Sequence, residues 1–278
     1  MVLYADDTKV FRRIQDVEDC NRLQGDLDEL RKWTEKLLLL FHPEKSKYMK
    51  IGNTSVDDNE YIMYIIISKT RTERDIGVVI DDKLTFADHL AEKIEKANKI
   101  VGLIKRTFVF LEPATFKPLF TSLVRPHLEY ANQVWCPQLI KDINAIENVQ
   151  RRVSKLVSCL KELPYEERLK RFDLPSLTYG RSRGDKIETF KIVNNKYDKE
   201  CTEGLFRMRE DSVTRGHKKL FKAKARLNSC KYSFPNRVVN IWNNLPDEMV
   251  HSETVTHLSQ DLINFVKHRI KNSIIKLR

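Results

Sequence analysis

The sequence has few cysteines, and no two of them form a Cys-x-x-Cys pair. The five are widely spaced along the 278 residues: Cys20, Cys136, Cys159, Cys201 and Cys230. This spacing supports neither a zinc knuckle nor a disulfide framework. Reduced thiols are the usual state of such cysteines inside cells, so we expect an intracellular protein of the nucleus or cytoplasm.

Long apolar runs and glycine-rich loops are also lacking. The longest apolar stretches, Leu37 to Phe41 and Ile62 to Ile67, are far too short to span a bilayer. Asp6 and Asp7 interrupt the start, where a secretory signal would need an apolar core. Without a glycine-rich phosphate loop the sequence gives no sign of a nucleotide cofactor. We therefore expect neither a membrane partner nor a small-molecule cofactor.

Glycine (8) and proline (9) are scarce, whereas charged residues make up 32% of the chain, which favours a helix-rich protein. The net charge of +11 is unevenly spread. Residues 1–85 carry 14 basic and 17 acidic side chains, residues 86–160 carry 11 and 7, and residues 161–278 carry 25 and 15. An acidic head on a basic body is typical of a metal site beside a polyanion-binding surface. A merely basic protein without that function is the alternative.

The acidic head begins with the sequence Met1-Val2-Leu3-Tyr4-Ala5-Asp6-Asp7-Thr8-Lys9-Val10-Phe11. Apolar arms around a short acidic tip predict a β-hairpin that holds two carboxylates at its turn. Adjacent carboxylates raise each other's pKa unless a cation neutralises them, and oxygen ligands favour Mg²⁺ or Mn²⁺. Taken alone, an Asp-Asp turn is more often a solvated turn.

The rest of the acidic head predicts one helix and two strands. Asp16 is the expected N-cap of a helix over residues 16–40, with Trp33 in the core and Pro43 ending the helix. Strands are expected at Ile62 to Ile67 and at Ile76 to Ile80. An unbroken apolar run at 61–67 indicates either a buried strand or the decay of an unselected sequence.

Helical periodicity begins at residue 86. Apolar residues recur at three- and four-residue spacing and predict three helices with basic outer faces. The first runs from Phe86 to Phe108, the second from Pro113 to about Pro126 with Phe116, Phe120 and Leu123 inside, and the third from Ile143 to Leu160. Gln150, Arg151 and Arg152 are expected on the outer face of the third. For any one of these helices, a solvated face is the simpler explanation.

The order of these segments resembles the late palm and thumb of reverse transcriptases from jockey-like non-LTR retrotransposons. The similar motifs span nearly the whole chain: Tyr4-Ala5-Asp6-Asp7, Phe41-His42-Pro43-Glu44-Lys45, Glu73-Arg74-Asp75-Ile76-Gly77-Val78, Lys96-Ala97-Asn98, Leu123 to Ala131, Val149-Gln150-Arg151-Arg152 and Val238 to Pro246. The resemblance implies an α+β, predominantly α protein. Residues 1–85 would be a palm remnant with a primer-grip-like hairpin, 86–160 a helical thumb, and 161–278 a helical extension with a mobile basic arm near 207–231.

The resemblance also implies site residues. Asp6 and Asp7 would be catalytic and would bind Mg²⁺ or Mn²⁺, weakly in this chain. Lys45, a better match than Lys47, would act as a general acid toward pyrophosphate, and an exposed strand lysine is the alternative. The thumb cations would bind RNA or an RNA–DNA hybrid through phosphates: Lys96, Lys105, Arg106, Arg151 and Arg152.

Two-metal polymerase chemistry needs a third carboxylate, which in this family lies upstream of the hairpin. Met1 occupies an apolar position inside the hairpin's first arm, as an internal methionine would. We therefore expect a fragment of an RNA-directed DNA polymerase that is inactive alone. The alternatives are a non-enzymatic nucleic-acid-binding remnant and a relic without selected function.

Overall fold

The computed structural model describes residues 2–4, 7–39, 41–52, 56, 60–209 and 218–264. Compact packing divides the chain into two units, Met1–Phe86 and Ala87–Arg278. Most described residues are helical, and the strands form three two-stranded sheets. The expectation of a predominantly α protein with a little β-structure is confirmed. No helix among the described residues is long and apolar enough to cross a membrane.

The first unit contains one long helix and six short strands within its described residues. Strands β1 (Val2–Tyr4) and β2 (Asp7–Lys9) are antiparallel, with Tyr4 opposite Asp7. Helix α1 covers Val17–Lys36, and a 3₁₀ turn covers Pro43–Lys45. The remaining strands are β3 (Lys47–Tyr48), parallel to β4 (Ser68–Lys69), and the antiparallel pair β5 (Thr72–Asp75) and β6 (Val78–Asp81).

Helix α1 begins as predicted but ends early. The Asp16 side chain accepts a 2.9 Å hydrogen bond from the Asp19 amide, the expected N-cap. The helix ends because Leu38 adopts a left-handed conformation (φ 56°) and the Leu39 amide donates back to the Thr34 carbonyl. Pro43 does not end it. Trp33, predicted in the core, is 51% exposed because it lies about 100° round the helix from buried Thr34.

The apolar run at 61–67 is a tight loop rather than the predicted strand. Its ends meet through an isolated bridge between Ile62 and Ile66 and a 2.8 Å bond from the Ile67 amide to the Tyr61 carbonyl. Tyr61, Met63 and Ile67 are buried in a cluster with Leu27 and Leu30 of α1, and the isoleucines between them are exposed. The run thus supplies three of the five buried residues of this cluster.

The predicted strand at 76–80 is part of a hairpin. Ile76 (φ 43°) and Gly77 (φ 76°) join β5 to β6 as a two-residue turn with both residues at positive φ. Such a turn matches the twist of its flanking strands, and glycine at its second position removes one of the two steric penalties.

The second unit is a helical assembly. Its elements are α2 (Ala87–Thr107), α3 (Pro113–Leu119), α4 (Arg125–Glu129), α5 (Asn132–Trp135), α6 (Ile140–Val153), α7 (Tyr165–Phe172), α8 (Leu177–Val193), α9 (Lys199–Thr202), α10 (Asn228–Lys231), α11 (Phe234–Asn243) and α12 (Asp247–Val250). Residues 255–264 are also helical. The predicted apolar stripe of α2 is buried or half-buried along its whole length, with Leu90, Ala97 and Ile104 most enclosed.

The helical path that begins with α3 does not stop near Pro126 as predicted but continues through α4. A π-helical segment, Phe120–Val124, joins α3 to α4, with the Arg125 amide bonded to the Phe120 carbonyl. The next residue, Pro126, has no amide hydrogen to continue the regular ladder. Because a π turn adds a residue, the buried face shifts by one position. Val124 and Leu128 are therefore buried in place of Leu123, which is exposed.

The described flanks of the basic segment 207–231 make specific contacts with α11. The Trp242 indole donates to the Lys218 carbonyl at 2.9 Å, and the Asn243 side chain bonds both backbone groups of Leu220 at 2.9 Å. Leu220 is buried in a core cluster with Phe190, Trp242 and Leu262. Residues 210–217 lie outside the described residues.

Candidate nucleic-acid interface

An open groove lies between α2 and α6. Its lining is basic at one end of α6, where that helix passes into a 3₁₀ turn, Ser154–Leu156. The side chains that line it are Ile94, Ala145, Asn148, Arg151, Arg152 and Lys155. Three cations and an amide beside a small apolar floor present several donors for phosphate oxygens, with no carboxylate among these residues.

Both groove arginines are exposed, yet each is held by a neighbour. The Arg152 guanidinium donates a 2.7 Å hydrogen bond to the Asn98 side chain of α2. Arg151 lies over the Tyr165 ring of α7, 5.1 Å from its centroid. Burial, together with a hydrogen bond to Glu147, raises the pKa of Tyr165, so the phenol remains neutral. Two tethered guanidinium groups lose less side-chain entropy on binding than free ones.

Glu147, one helical turn before Arg151, links α6 to α7 and α8. Glu147 is buried and accepts from the Tyr165 hydroxyl at 2.5 Å. It also accepts from the Leu177 and Thr178 amides, at 3.3 and 3.2 Å. These amides are the first of α8, where a helix favours negative charge. Gln150 of α6 was expected on the outer face of the helix. It is instead buried, and its side chain donates a hydrogen bond to the Pro175 carbonyl.

The structure does not bring all five predicted thumb cations together. Arg151 and Arg152 share the groove, and Lys105 follows Asn98 by about two helical turns, so it lies on the same face of α2. Lys96 lies toward α4 instead. Burial, and then the charges of Lys96 and Lys93, lower the pKa of His127 in that helix. Arg106 is exposed but lies about 100° round α2 from Lys105.

Sequence reasoning missed Lys155 and Asn98 as groove residues. Lys155 follows Arg151 and Arg152 by four and three residues, a spacing that signals a shared helical face. Asn98 carries no charge, and its role depends on a contact 54 positions along the chain. No local pattern could have identified it.

Both strands of the predicted acidic hairpin, β1 and β2, are present. Asp6 lies outside the described residues. Asp7 is exposed at the start of β2, where its carboxylate can contribute an oxygen ligand to Mg²⁺ or Mn²⁺. Two residues further, Lys9 forms an ion pair with Asp75 of β5. This contact joins the β1–β2 hairpin to the β5–β6 hairpin. No cluster of three potential metal-binding side chains occurs among the described residues.

The two candidate general acids have different environments. Lys45 is exposed in the 3₁₀ turn, not on a strand. Lys47 begins β3 and forms a 3.1 Å ion pair with Glu73 of β5. Both lysine side chains are exposed.

Several buried or half-buried polar residues of the second unit are structural. The bidentate pair Arg237–Asp185 joins α11 to α8, and the Asn132 side chain donates to the same carboxylate at 3.1 Å. Arg125 and Glu129 form a 2.8 Å ion pair on α4. The buried Trp135 donates to the Tyr130 carbonyl at 2.6 Å and fixes the α4–α5 connection. These contacts fix α4, α5, α8 and α11 rather than the two helices that line the groove. Comparison of the chain with protein-family models, with curated proteins and with solved structures gives no match.

Proposed function

We propose that this chain is part of an RNA-directed DNA polymerase of the jockey-like non-LTR retrotransposon class, and that its second unit binds RNA duplex or an RNA–DNA hybrid. The gathering of Arg151, Arg152 and Lys155 on one open groove carries the proposal. Phosphate recognition requires several cations on one surface, and two of these are already oriented by Asn98 and Tyr165.

The first unit supports the polymerase assignment. A carboxylate-bearing hairpin lies beside the β5–β6 hairpin through the Lys9–Asp75 ion pair, as expected for catalytic carboxylates next to a primer grip. Asp6 and Asp7 would hold Mg²⁺ or Mn²⁺, which when bound stabilises charge on a transferring phosphoryl group. Lys45, exposed in its turn, would be available to protonate pyrophosphate.

A non-enzymatic nucleic-acid-binding protein is the second candidate. It rests on the same groove of Arg151, Arg152 and Lys155 and needs no metal site. Both candidates predict the same binding surface, and neither predicts primer extension by this chain alone. A relic without selected function predicts no binding.

Binding is tested with a fluorescein-labelled 16-base-pair RNA–DNA hybrid and fluorescence anisotropy over a series of salt concentrations. We expect log K to fall linearly with log salt, with a slope of roughly −4 to −7 for about five to eight phosphate contacts. Duplexes of different sequence should bind alike, because phosphate contacts carry no base information. Absence of binding at low salt would overturn the proposal, and the interpretation as a relic without selected function would remain.

A further inference from the structure

The turn between α2 and α3 exposes two adjacent apolar residues, Val109 and Phe110, here called the apolar tip. Val109 is 101% exposed and Phe110 71% exposed, and Val109 is the most exposed large hydrophobic residue of the described chain. Exposed apolar residues that occur singly need no explanation, but an adjacent valine and phenylalanine at the end of a basic helix are less usual.

The exposure of the tip is imposed by the fold on both sides. Before it, the half-buried Phe108 donates its amide to the Ile104 carbonyl at 3.0 Å and so continues the last turn of α2. After it, Leu111 is buried, and α3 begins at Pro113. The apolar tip is therefore a short turn whose two ends are fixed. Because this turn is already ordered, the backbone of Phe110 loses little conformational entropy when a ligand binds.

The charges near the tip favour a polyanion as its partner. Lys105 and Arg106 are exposed in the last turn of α2, and Lys105 lies on the helix face that carries Asn98. From Asn98 to Phe108, α2 rises about 15 Å at 1.5 Å per residue, which matches about four base-pair steps. A nucleic acid that engages Arg152 and runs along this face of α2 would reach the tip.

We propose that Phe110 stacks on an exposed base of the bound nucleic acid, at a duplex end or in an unpaired overhang, with Val109 packed at its edge. This inference rests on the proposed function. Any base offers a π-face, so the contact adds affinity without sequence preference. A lipid surface is the less favoured partner, because two apolar side chains bury too little area for stable membrane attachment.

The test compares variants on the full chain by anisotropy, using the 16-base-pair hybrid with a four-nucleotide overhang. Phe110→Ala should weaken binding by roughly 5- to 150-fold, the range for loss of one stacked base. Its salt slope should equal that of the wild type, because no phosphate contact is lost. Phe110→Trp should restore affinity and Phe110→Leu should not. Leu227→Ala, at a residue 66% exposed, is the control and should change nothing.

The outcomes separate this inference from the proposed function. If the wild type fails to bind the hybrid, the proposed function fails and the inference fails with it. If the wild type binds with the expected salt slope but Phe110→Ala binds equally well, only the inference fails. It also fails if Phe110→Ala instead abolishes sedimentation with phosphatidylcholine–phosphatidylserine vesicles while hybrid binding is unchanged.

Discussion

Arg237 of α11 and Asp185 of α8 form a bidentate ion pair. Arg237 Nε lies 2.9 Å from Asp185 Oδ2, and Arg237 Nη2 lies 2.9 Å from Asp185 Oδ1. Asp185 is buried, and the same guanidinium donates to the Asn132 and Gln133 carbonyls of α5. Three helices therefore depend on one charge pair. Breaking a buried pair leaves a charge without compensation, which costs more than the pair contributes when intact.

We expect Arg237→Met to lower the free energy of unfolding by about 3–5 kcal/mol. The double variant Asp185→Leu with Arg237→Met should recover part of that loss, because no charge remains buried. Lys99→Met, which breaks the exposed Glu95–Lys99 pair, is the control and should change stability by less than about 1 kcal/mol. Urea unfolding followed by circular dichroism measures all three. Equal effects of Arg237→Met and Lys99→Met would contradict the structural role.

Two glycines on α8 predict different outcomes for the same substitution. A Cβ at Gly184 would meet no atom within 4 Å, so Gly184→Ala should stabilise the protein by about 0.4–1 kcal/mol. A Cβ at Gly180 would lie 2.3 Å from Glu129 Oε1 and 2.9 Å from Arg125 Nη2. Displacing either group disturbs their ion pair, so Gly180→Ala should be less stable than Gly184→Ala by about 1 kcal/mol. The thermal unfolding midpoints of the two variants distinguish these outcomes. Equal midpoints would contradict the close approach of Gly180 to Glu129 and Arg125.

Asp81 should make the first unit sensitive to acid. Burial raises the pKa of this carboxyl, but hydrogen bonds from the Thr85, Phe86 and Lys83 amides and the Thr85 hydroxyl outweigh burial and lower the pKa overall. A lowered folded-state pKa means that the contribution is complete above the unfolded-state value of about 3.9. It is lost as the pH falls through the folded-state value.

We therefore expect Asp81→Asn to lower the urea midpoint at pH 7, with a difference from the wild type that shrinks as the pH falls below about 4. Asp82→Asn, at the neighbouring carboxylate that accepts none of these bonds, is the matched control and should lie close to the wild type at every pH. A midpoint difference that is independent of pH would show that the Asp81 charge is unimportant.

The sequence predicted those parts of the fold that depend on local periodicity. The start of α1 at Asp16 and the buried stripe of α2 follow from a cap and from apolar spacing. It failed where a backbone irregularity intervened: the left-handed Leu38 ended α1, and the π segment before Pro126 moved burial from Leu123 to Val124. Single-residue events of this kind leave the average hydrophobic pattern unchanged.

The candidate nucleic-acid interface, like the fold, was predicted only in part from the sequence. Arg151 and Arg152 were expected to be exposed on α6, and they are. Gln150 was placed with them because its side chain is polar, whereas it is buried against the Pro175 carbonyl. Asn98, Tyr165 and Glu147 were not predicted, because their contacts join segments distant in sequence. The pairing of Lys9 with Asp75 was hidden from sequence for the same reason.

Polymerase activity is expected to be absent from the 278-residue polypeptide. Asp6 and Asp7 are one carboxylate pair, whereas in-line transfer with two metals needs a fuller ligand set. Primer extension with Mg²⁺ or Mn²⁺, a primer–template and nucleotides should give no product, while an active reverse transcriptase extends the same substrate in the same buffer. Product that disappears on Asp6→Ala or Asp7→Ala would mean that a complete site is assembled.

The central claim is that Arg151 and Arg152 contact phosphates. Reversing both charges, Arg151→Glu with Arg152→Glu, should weaken binding to hybrids of every sequence about equally. It should also make the salt slope shallower by about two, since each lost phosphate contact removes nearly one unit.

The matched control is Lys196→Glu with Lys199→Glu, which changes the net charge by the same amount at two exposed lysines. These lysines follow the far end of α8, about 24 Å along that helix from its contact with Glu147. Salt-dependent fluorescence anisotropy on the wild type and both variants tests the claim most directly. The account predicts a shallower slope for the arginine variant alone. Equal slopes for all three proteins would contradict it and make Arg151 and Arg152 a solvated helix face.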